Sequence, residues 1–168
     1  MRLITKTDII AHRQISKSVA DVKINPFIDD AQLLDLLPLI GEKFYFEIIA
    51  NPANYTDLLE QKTYTYDNTL IQSPGLKRVL IDFAYARYVM HGTPTDTPFG
   101  MIEKQFQDGN HIPRTDKKEI YKQSQQIAMQ YWSQVESYLN RNRNLYPLWD
   151  GDCAIEQRKS FRLNHITR

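Results

Sequence analysis

The side chains that most often do chemistry are few in this chain and widely spaced. The four histidines, His12, His91, His111 and His165, are too far apart in sequence for two of them to lie one helical turn apart, so no helical metal pair exists. Cys153 is the only cysteine, which excludes a disulfide within these residues and argues against a cysteine-based zinc site. We therefore predict no metal site and expect the histidines to have surface or capping roles.

Two short acidic groups resemble sites only superficially. Asp150 and Asp152 flank a glycine as in a calcium loop, but the spaced ligands and terminal glutamate of such a loop are missing. Asp29 and Asp30 are adjacent, so on a helix their side chains point in different directions, and their charges suit a helix N-terminus. The chain has no glycine-rich phosphate loop, no G-x-S-x-G and no H-E-x-x-H. The sequence predicts a protein that is not an enzyme, with no catalytic residues and no cofactor.

Two other function classes stay open. Three cations and two tyrosines occur together on one helix-like stretch: Lys77, Arg78, Tyr85, Arg87 and Tyr88. They would suit a nucleic-acid-associated helical binding module that stacks bases on its tyrosines. The net charge of +1 adds little attraction for phosphates, and such binding would depend steeply on salt. An enzyme site assembled from distant carboxylates such as Asp82 and Glu103 is the other alternative.

Length and composition indicate one domain with a sizeable core. The chain has 168 residues, among them 10 tyrosines, 7 phenylalanines and 2 tryptophans. This aromatic surplus is typical either of large protein–protein contacts or of an aromatic-rich core. The N-terminal stretch carries early charges and does not resemble a signal peptide, and no run of ~18 apolar residues predicts a membrane span.

The first half of the chain has a helical period of apolar residues. A short helix is predicted within residues 3–13, with Thr7 as its N-cap. Pro26 marks the expected start of the next helix. Apolar residues then recur at helical spacing over 28–51, and Pro38 is expected to split this stretch into helices at about 28–37 and 38–51. A turn and a short helix ending near residue 61 follow.

The second half contains a predicted hairpin and two long helices. Residues 63–72 alternate around Asp67-Asn68, which is typical of a β-hairpin turn. Ser73 would cap a helix that begins at Pro74 and reaches Met90, followed by a left-handed cap at Gly92. This helix is apolar almost all round, which predicts burial from several sides, with part of its cover supplied by another subunit.

An irregular connector and a last long helix complete the chain. Residues 93–115 contain three prolines and are predicted to be irregular, and a helix is predicted over about 115–142. The predicted fold class is mainly α, a helical bundle of about four to five helices with one small β-hairpin and extended termini. We assign residues 1–150 to a helical domain and 151–168 to an extended C-terminal tail.

Three stretches resemble a known family. They are "ISKSV…INPFIDDAQLLDLLPLIGEKFYFEI", "LKRVLIDFAYARYVMHGTPTDTPFGMIEK" and "YPLW", within residues 5–149. Together they resemble the head–tail connector proteins of tailed bacteriophages and prophages, which form a ring under the portal. The stretch "DDAQLLDLLPLIGEKFY" is similar to the first core helix of that group, and "TPTDTPFG" resembles a variant from short-tailed phages with multi-ring necks. The tail after Trp149 lies outside the resemblance.

The resemblance implies a structural protein of the virion neck, made in the host cytoplasm. Its implied partners are further copies of itself in a dodecameric ring, the portal protein and neighbouring neck or tail proteins. DNA would pass through the lumen of the ring with only transient, non-specific contact, and a near-neutral channel wall suits such passage. No membrane partner is expected.

We expect partners to contact the hairpin, the connector and the tail. The hairpin would project from the helical body, the "TPTDTPFG" connector would be held rigid by its prolines, and the tail would order on a partner. The residues predicted to contact a neighbouring subunit or the portal are Tyr64, Tyr66, Leu70, Pro98, Phe99, Trp149, Arg158, Phe161 and Arg162.

Overall fold

The computed structural model describes residues 1–92 and 113–150, and the backbone alone of 95–97 and 100–102. Its fold is mainly helical with the predicted small antiparallel hairpin, which confirms the fold class. The predicted C-terminal tail lies outside the described residues.

The N-terminal helices begin at other residues than predicted. Helix α1 spans Lys6–His12, and its N-cap is Thr5, not Thr7. Asp8 explains the difference, because its carboxylate accepts from the backbone N–H of Thr5 while the Thr5 hydroxyl faces the Asp8 N–H in a capping box. Helix α2 spans Asp21–Asp30 and contains Pro26 in its interior, so the prediction that this proline starts the helix is wrong.

The chain stays helical through Pro38 and breaks at Gly41. A π-helical segment, Ala31–Leu36, follows α2 and leads into α3, Leu37–Ile40. The N–H of Leu37 reaches back five residues to the carbonyl of Gln32, and Pro38 then falls in the first turn of α3, where a missing N–H is tolerated. Gly41 has φ 81°, which ends α3 before α4, Glu42–Ala50. The predicted split at Pro38 is therefore wrong by three residues.

Gly75, which packs closely against another backbone segment, joins the hairpin to the helix that follows it. A 3-10 turn, Pro52–Tyr55, and helix α5, Thr56–Leu59, lead into strands β1, Lys62–Tyr66, and β2, Thr69–Ser73. Ser73 ends β2 and does not cap the next helix, α6, which spans Leu76–His91. Its N-cap is Gly75 at φ 79°, where a Cβ would lie 2.4 Å from the carbonyl oxygen of Glu60. Only glycine fits this approach of two backbone segments.

The last part of the chain adds a second small strand pair and the longest helix. Gly92 follows α6 with φ −79°, so the predicted left-handed cap is wrong. Strands β3, Thr95–Thr97, and β4, Gly100–Ile102, pair antiparallel, which corrects the expectation of a wholly irregular connector. Helix α7 spans Arg114–Arg141, close to its predicted bounds.

The core forms around α6. This helix packs along α7 and also contacts α1, α2 and the π segment. Most of its residues from Leu76 to Ala86 are buried by the chain itself, so their burial does not require another subunit. The aromatic surplus also has an explanation within the chain, because Phe44, Tyr146 and Trp149 meet with ring centroids about 6 Å apart.

Candidate interaction surfaces

The hairpin has the tight turn that its sequence predicts. Tyr64 pairs with Ile71 and Tyr66 with Thr69 across the two strands. Asp67 and Asn68 connect them with φ of 50° and 57°. A two-residue turn with positive φ at both positions has a twist that matches the twist of the paired strands. Asp and Asn tolerate positive φ better than other non-glycine residues do.

The base of the hairpin is fixed to α7. The ring of Tyr64 meets the ring of Tyr138 edge-on at 4.9 Å, and the Arg141 guanidinium donates to the Tyr64 hydroxyl at 2.8 Å. The same guanidinium lies 4.3 Å from the centroid of Tyr66. The side chain of Tyr64 thus makes its contacts within the chain, and only part of it is exposed to a partner.

The outer part of the hairpin is uncovered. Leu70 is 73% exposed and Tyr66 is 48% exposed, although both are side chains that folding usually covers. Leu70 faces the same side of the hairpin as its partner Thr65, whereas Tyr66 faces the opposite side, where the Arg141 guanidinium lies over its ring. We call the outer end of the hairpin, which presents these two side chains on its two faces, the hairpin surface. Exposed apolar side chains on a strand pair are suited to contact with another protein.

The π segment carries a second uncovered apolar surface. Two consecutive leucines of this segment, Leu33 and Leu34, are 49% and 59% exposed. We call this pair the leucine surface. The segment is held in place on both sides of the pair, because the buried Gln32 accepts from the Leu3 N–H at 2.6 Å and Asp35 forms a two-point ion pair with Arg87 at 2.7 and 3.0 Å. The leucines are therefore displayed by an anchored backbone.

Trp149 is a core residue in this chain. It is 4% exposed, its ring lies 5.9 Å from that of Trp132, and its indole N–H donates to the Asn140 side chain at 3.0 Å. Its burial contradicts the expectation that it offers a side chain to a partner. The sequence could not separate these roles, because the residues that cover Trp149 are remote along the chain.

The tyrosine neighbours of Trp149 form a buried hydroxyl pair. The hydroxyls of Tyr138 and Tyr146 are 3.1 Å apart and both rings are buried. Burial, and then the hydrogen bond with Tyr138, raise the pKa of Tyr146 well above its ordinary range. Tyr146 therefore remains neutral in the folded protein at physiological pH.

The remaining predicted partner residues lie outside the described part of the chain. These are Pro98, Phe99, Arg158, Phe161 and Arg162. Tyr66 and Leu70 are therefore the predicted partner residues that the described part of the chain exposes. Its other exposed large apolar residues include Leu33 and Leu34, and also Val22, Phe46, Met129, Leu145 and Leu148. The leucine surface was missed in the sequence, where both leucines fit the apolar stripe of a regular helix.

The cations proposed for base stacking already have acidic partners. Lys77 pairs with Glu60, Arg87 with Asp35, and Arg78 lies 3.9 Å from a carboxylate oxygen of Asp82. Pairing reduces the charge that each of these groups offers to a phosphate. The helix face imagined as a nucleic-acid platform is thus largely neutralised.

Asp82 is fully buried at the centre of an ionic cluster. One carboxylate oxygen accepts from Arg13 Nε at 2.5 Å, and Arg78 approaches the other from the preceding turn of α6. Burial raises the pKa of Asp82, and the hydrogen bond and charge of Arg13 oppose that shift. Glu103, its imagined catalytic partner, lies outside the described residues. The surroundings of Asp82 fit a structural ion pair between α1 and α6.

The described residues contain neither a metal-ligand cluster nor a membrane-spanning helix. Within residues 1–92 and 113–150, no three His, Cys, Asp or Glu side chains converge as ligands of a metal ion would. No helix in the described part of the chain combines the length and apolar character needed to span a bilayer.

The chain belongs to DUF6712, a family of unknown function. The family profile matches residues 36–159, which include the hairpin, α6 and α7. No curated protein and no solved structure matches the chain.

Proposed function

We propose that this protein is a structural head–tail connector of a tailed bacteriophage or prophage. Copies of the chain would form a ring, in the expected form a dodecamer, docked on the portal in the virion neck. The ring would link the capsid to the tail and surround the passing DNA. Support comes from the sequence resemblance over residues 5–149, which implies this role and no catalysis.

The observation that carries the proposal is the pair of uncovered apolar surfaces. The leucine surface lies on the π segment after α2, and the hairpin surface lies on strands fixed to α7. A head-to-tail ring needs two different surfaces on each subunit, one for each neighbour. An interface between copies of the chain, or with the portal, would cover side chains that the monomer leaves in water.

The charge distribution is compatible with a DNA passage. The net charge is +1, and Lys77, Arg78 and Arg87 each face a carboxylate. A wall of this kind has little excess positive charge with which to retain DNA by counterion release. Weak, salt-insensitive DNA contact is therefore expected, whereas a nucleic-acid-binding module would bind strongly at low salt.

Native mass is the decisive measurement. The purified chain is measured alone and after mixing with the portal protein of the same phage or prophage. A stoichiometric ring, free or on the portal, is the expected result. A chain that remains monomeric when mixed with the portal protein would contradict the proposal. Steeply salt-dependent DNA binding by that monomer would favour the nucleic-acid alternative.

A truncation tests the tail separately. Residues 1–150 retain Trp149 and the described core, so this shorter chain should fold. We expect it to bind the portal more weakly than the full chain. Equal binding by the two forms would exclude a role for residues 151–168 at the portal while leaving the ring itself testable.

A further inference from the structure

The register of the hairpin determines which backbone groups point outward. The turn at 67–68 places Tyr66 opposite Thr69, and a hydrogen bond between these two backbones closes such a turn. Hydrogen-bonded and non-hydrogen-bonded pairs alternate from there along an antiparallel ladder. Leu70 and Gln72 of β2 are therefore in non-hydrogen-bonded pairs, so their N–H and C=O groups point away from β1.

These outward groups of β2 lie on an uncovered part of the chain. Leu70 is 73% exposed, Gln72 is also exposed, and neither makes a hydrogen bond with a described residue outside the hairpin. Helix α7 packs against the other face of the hairpin, where Tyr64 meets Tyr138. The N–H and C=O groups of Leu70 and Gln72 thus form a free strand edge, which is the feature that an added strand requires.

Strand β2 lacks the features that usually protect a free edge. Its residues, Thr69–Ser73, include no charged side chain and no proline. Strand β1 instead begins at Lys62, which pairs with Asp57. Charged residues and prolines on an edge strand discourage pairing with another chain. Of the two edges of the hairpin, the β2 edge is therefore the one suited to accept a further strand.

A cavity at the base of the hairpin adjoins this edge. Its volume is about 320 Å³, and it is bounded by α1, the chain between α5 and β1, the start of α6, and α7. Gln72 forms part of the cavity wall and also belongs to the free edge of β2. One end of an extended segment paired with β2 would therefore lie at the cavity, whose volume is within the range of ligand sites.

The cavity wall offers the same polar groups as a peptide backbone. The side chains of Gln61 and Gln134 are exposed in this wall, and neither makes a hydrogen bond with a described residue. A side-chain amide carries both donors and an acceptor, as a backbone peptide group does. These two amides can therefore bond the N–H and C=O groups of a segment beyond the reach of β2.

The charge of the wall favours an uncharged ligand. The carboxylates of Asp8 and Glu60 balance the cations Lys77 and Arg78, and Glu60 and Lys77 form an ion pair. Strand β2 adds no charge. A charged side chain in the bound segment would lose hydration without gaining a net attraction. An extended segment with uncharged side chains fits both the strand edge and the cavity.

We propose that the β2 edge and the adjoining cavity, together the edge site, bind an extended, uncharged segment of another protein chain. The segment adds a third strand to the hairpin through backbone hydrogen bonds to Leu70 and Gln72, and one of its ends lies between Gln61 and Gln134. The edge site lies within one chain and requires neither a ring nor the portal, so it is tested independently of the connector function.

The test is hydrogen exchange with water, measured by NMR at single backbone amides of the full chain. The probe is the uncharged peptide acetyl-Gln-Thr-Val-Thr-Gln-amide, and its control is the same peptide N-methylated at the three central residues. We expect saturable binding of the probe with a dissociation constant on the order of millimolar, and exchange slowed at least about fivefold at Leu70 and Gln72 near saturation. Thr63 and Thr65, whose N–H groups point outward from β1, should exchange as before.

Two proline variants compare the two edges. Leu70 and Thr65 are opposite each other in the register, and proline at either position removes an outward N–H without removing a bond between β1 and β2. Leu70→Pro should weaken binding of the probe at least about tenfold, and Thr65→Pro should leave it unchanged. Leu70→Ala retains the N–H and should bind the probe within about threefold of the natural chain.

A variant in the cavity wall tests the site without altering the hairpin. Gln134→Leu removes one amide from the wall and should weaken binding of the probe about fivefold, the effect of one hydrogen bond. This variant keeps the proposal testable even if Leu70→Pro disturbs the strand pair. The N-methylated control peptide should bind at least about tenfold more weakly than the probe, because it lacks backbone donors.

Five outcomes would overturn the proposal. One is no saturable change up to about 20 mM probe, well above the expected range. Others are equal binding of the N-methylated peptide, slowed exchange at Thr63 and Thr65 in place of Leu70 and Gln72, and binding unchanged by Gln134→Leu and by a folded Leu70→Pro. The last is slow exchange at Leu70 and Gln72 that is present in the free full chain and lost in residues 1–150, which would assign the edge to residues 151–168 of the same chain.

Discussion

Replacing both residues of the leucine surface with serine tests whether that surface is an interface. Full burial of a leucine side chain contributes roughly 1.5–3 kcal/mol. Leu33 and Leu34 are 49% and 59% exposed, so about half of each side chain remains for a partner to cover. Leu33→Ser/Leu34→Ser should therefore weaken each subunit contact by roughly 1.5–3 kcal/mol, or about 10- to 150-fold in its dissociation constant.

The assay is sedimentation velocity over a concentration series, with and without portal protein. In a ring every interface carries the same loss, so the variant should populate rings only at much higher concentration than the natural chain. A matched double variant, Leu145→Ser/Leu148→Ser, changes two leucines of comparable exposure beyond α7. This control should assemble like the natural chain.

The folded state must be checked in parallel, because each leucine is also half-buried in its own chain. Circular dichroism and urea unfolding show whether the variant monomer remains folded at the assay temperature. A folded variant whose assembly equals that of the natural chain would refute the assignment of the leucine surface. Equal loss in both double variants would show that apolar exposure in general, and not this surface, drives the association.

Three further predictions concern the folded chain. Gly75→Ala should lower the free energy of unfolding in urea by at least about 2 kcal/mol, because its positive φ and the adjoining backbone exclude a Cβ. Asp82→Ala should lower the free energy of unfolding by roughly 3 kcal/mol, because it leaves the Arg13 guanidinium without its ion-pair partner. The double variant Asp82→Ala/Arg13→Met should lower it by less than the sum of the two single changes. The pKa of Tyr146 lies above its ordinary 10.0, so the unfolded chain releases this proton first as pH rises. Stability should thus fall above pH 10 by up to about 1.4 kcal/mol per pH unit, and Tyr146→Phe should make that fall shallower in urea titrations from pH 9 to 11.

Local signals were sufficient to predict the hairpin and the two long helices. Asp67-Asn68 between alternating residues specifies a two-residue turn, and the structure has positive φ at both. The stretches that became α6 and α7 are long and rich in apolar residues, and the prolines and glycine beside them place their ends within two residues. These elements depend on neighbours within a few positions along the chain.

The break between α3 and α4 could not be placed from local preferences. Proline is the stronger helix breaker in general, and the sequence therefore predicts the break at Pro38. The π segment before it shifts the hydrogen-bond register and gives Pro38 a first-turn position, and helix propensities do not predict such a segment. The exposure of Leu33 and Leu34 was missed because both residues fit the apolar pattern of the predicted helix.

The roles of aromatic and charged residues depended on distant parts of the chain. Trp149 is covered in part by Phe44, more than one hundred positions earlier, so composition alone could not assign it to the core. Asp82 had a usable signal, an acidic residue within the apolar run "VLIDFAY" and one turn after Arg78. A charge in that position is either exposed or paired, and Arg13 pairs it from α1.

Helix α6 supports the leucine surface. Arg87, near its end, holds the π segment through Asp35. Because α6 is buried along α7, Arg87 extends from a backbone that has little freedom to move. An anchored backbone loses less conformational entropy on association than a mobile loop would. Breaking the Asp35–Arg87 pair should therefore weaken assembly while both leucines remain, which separates the fixing of the leucine surface from its apolar area.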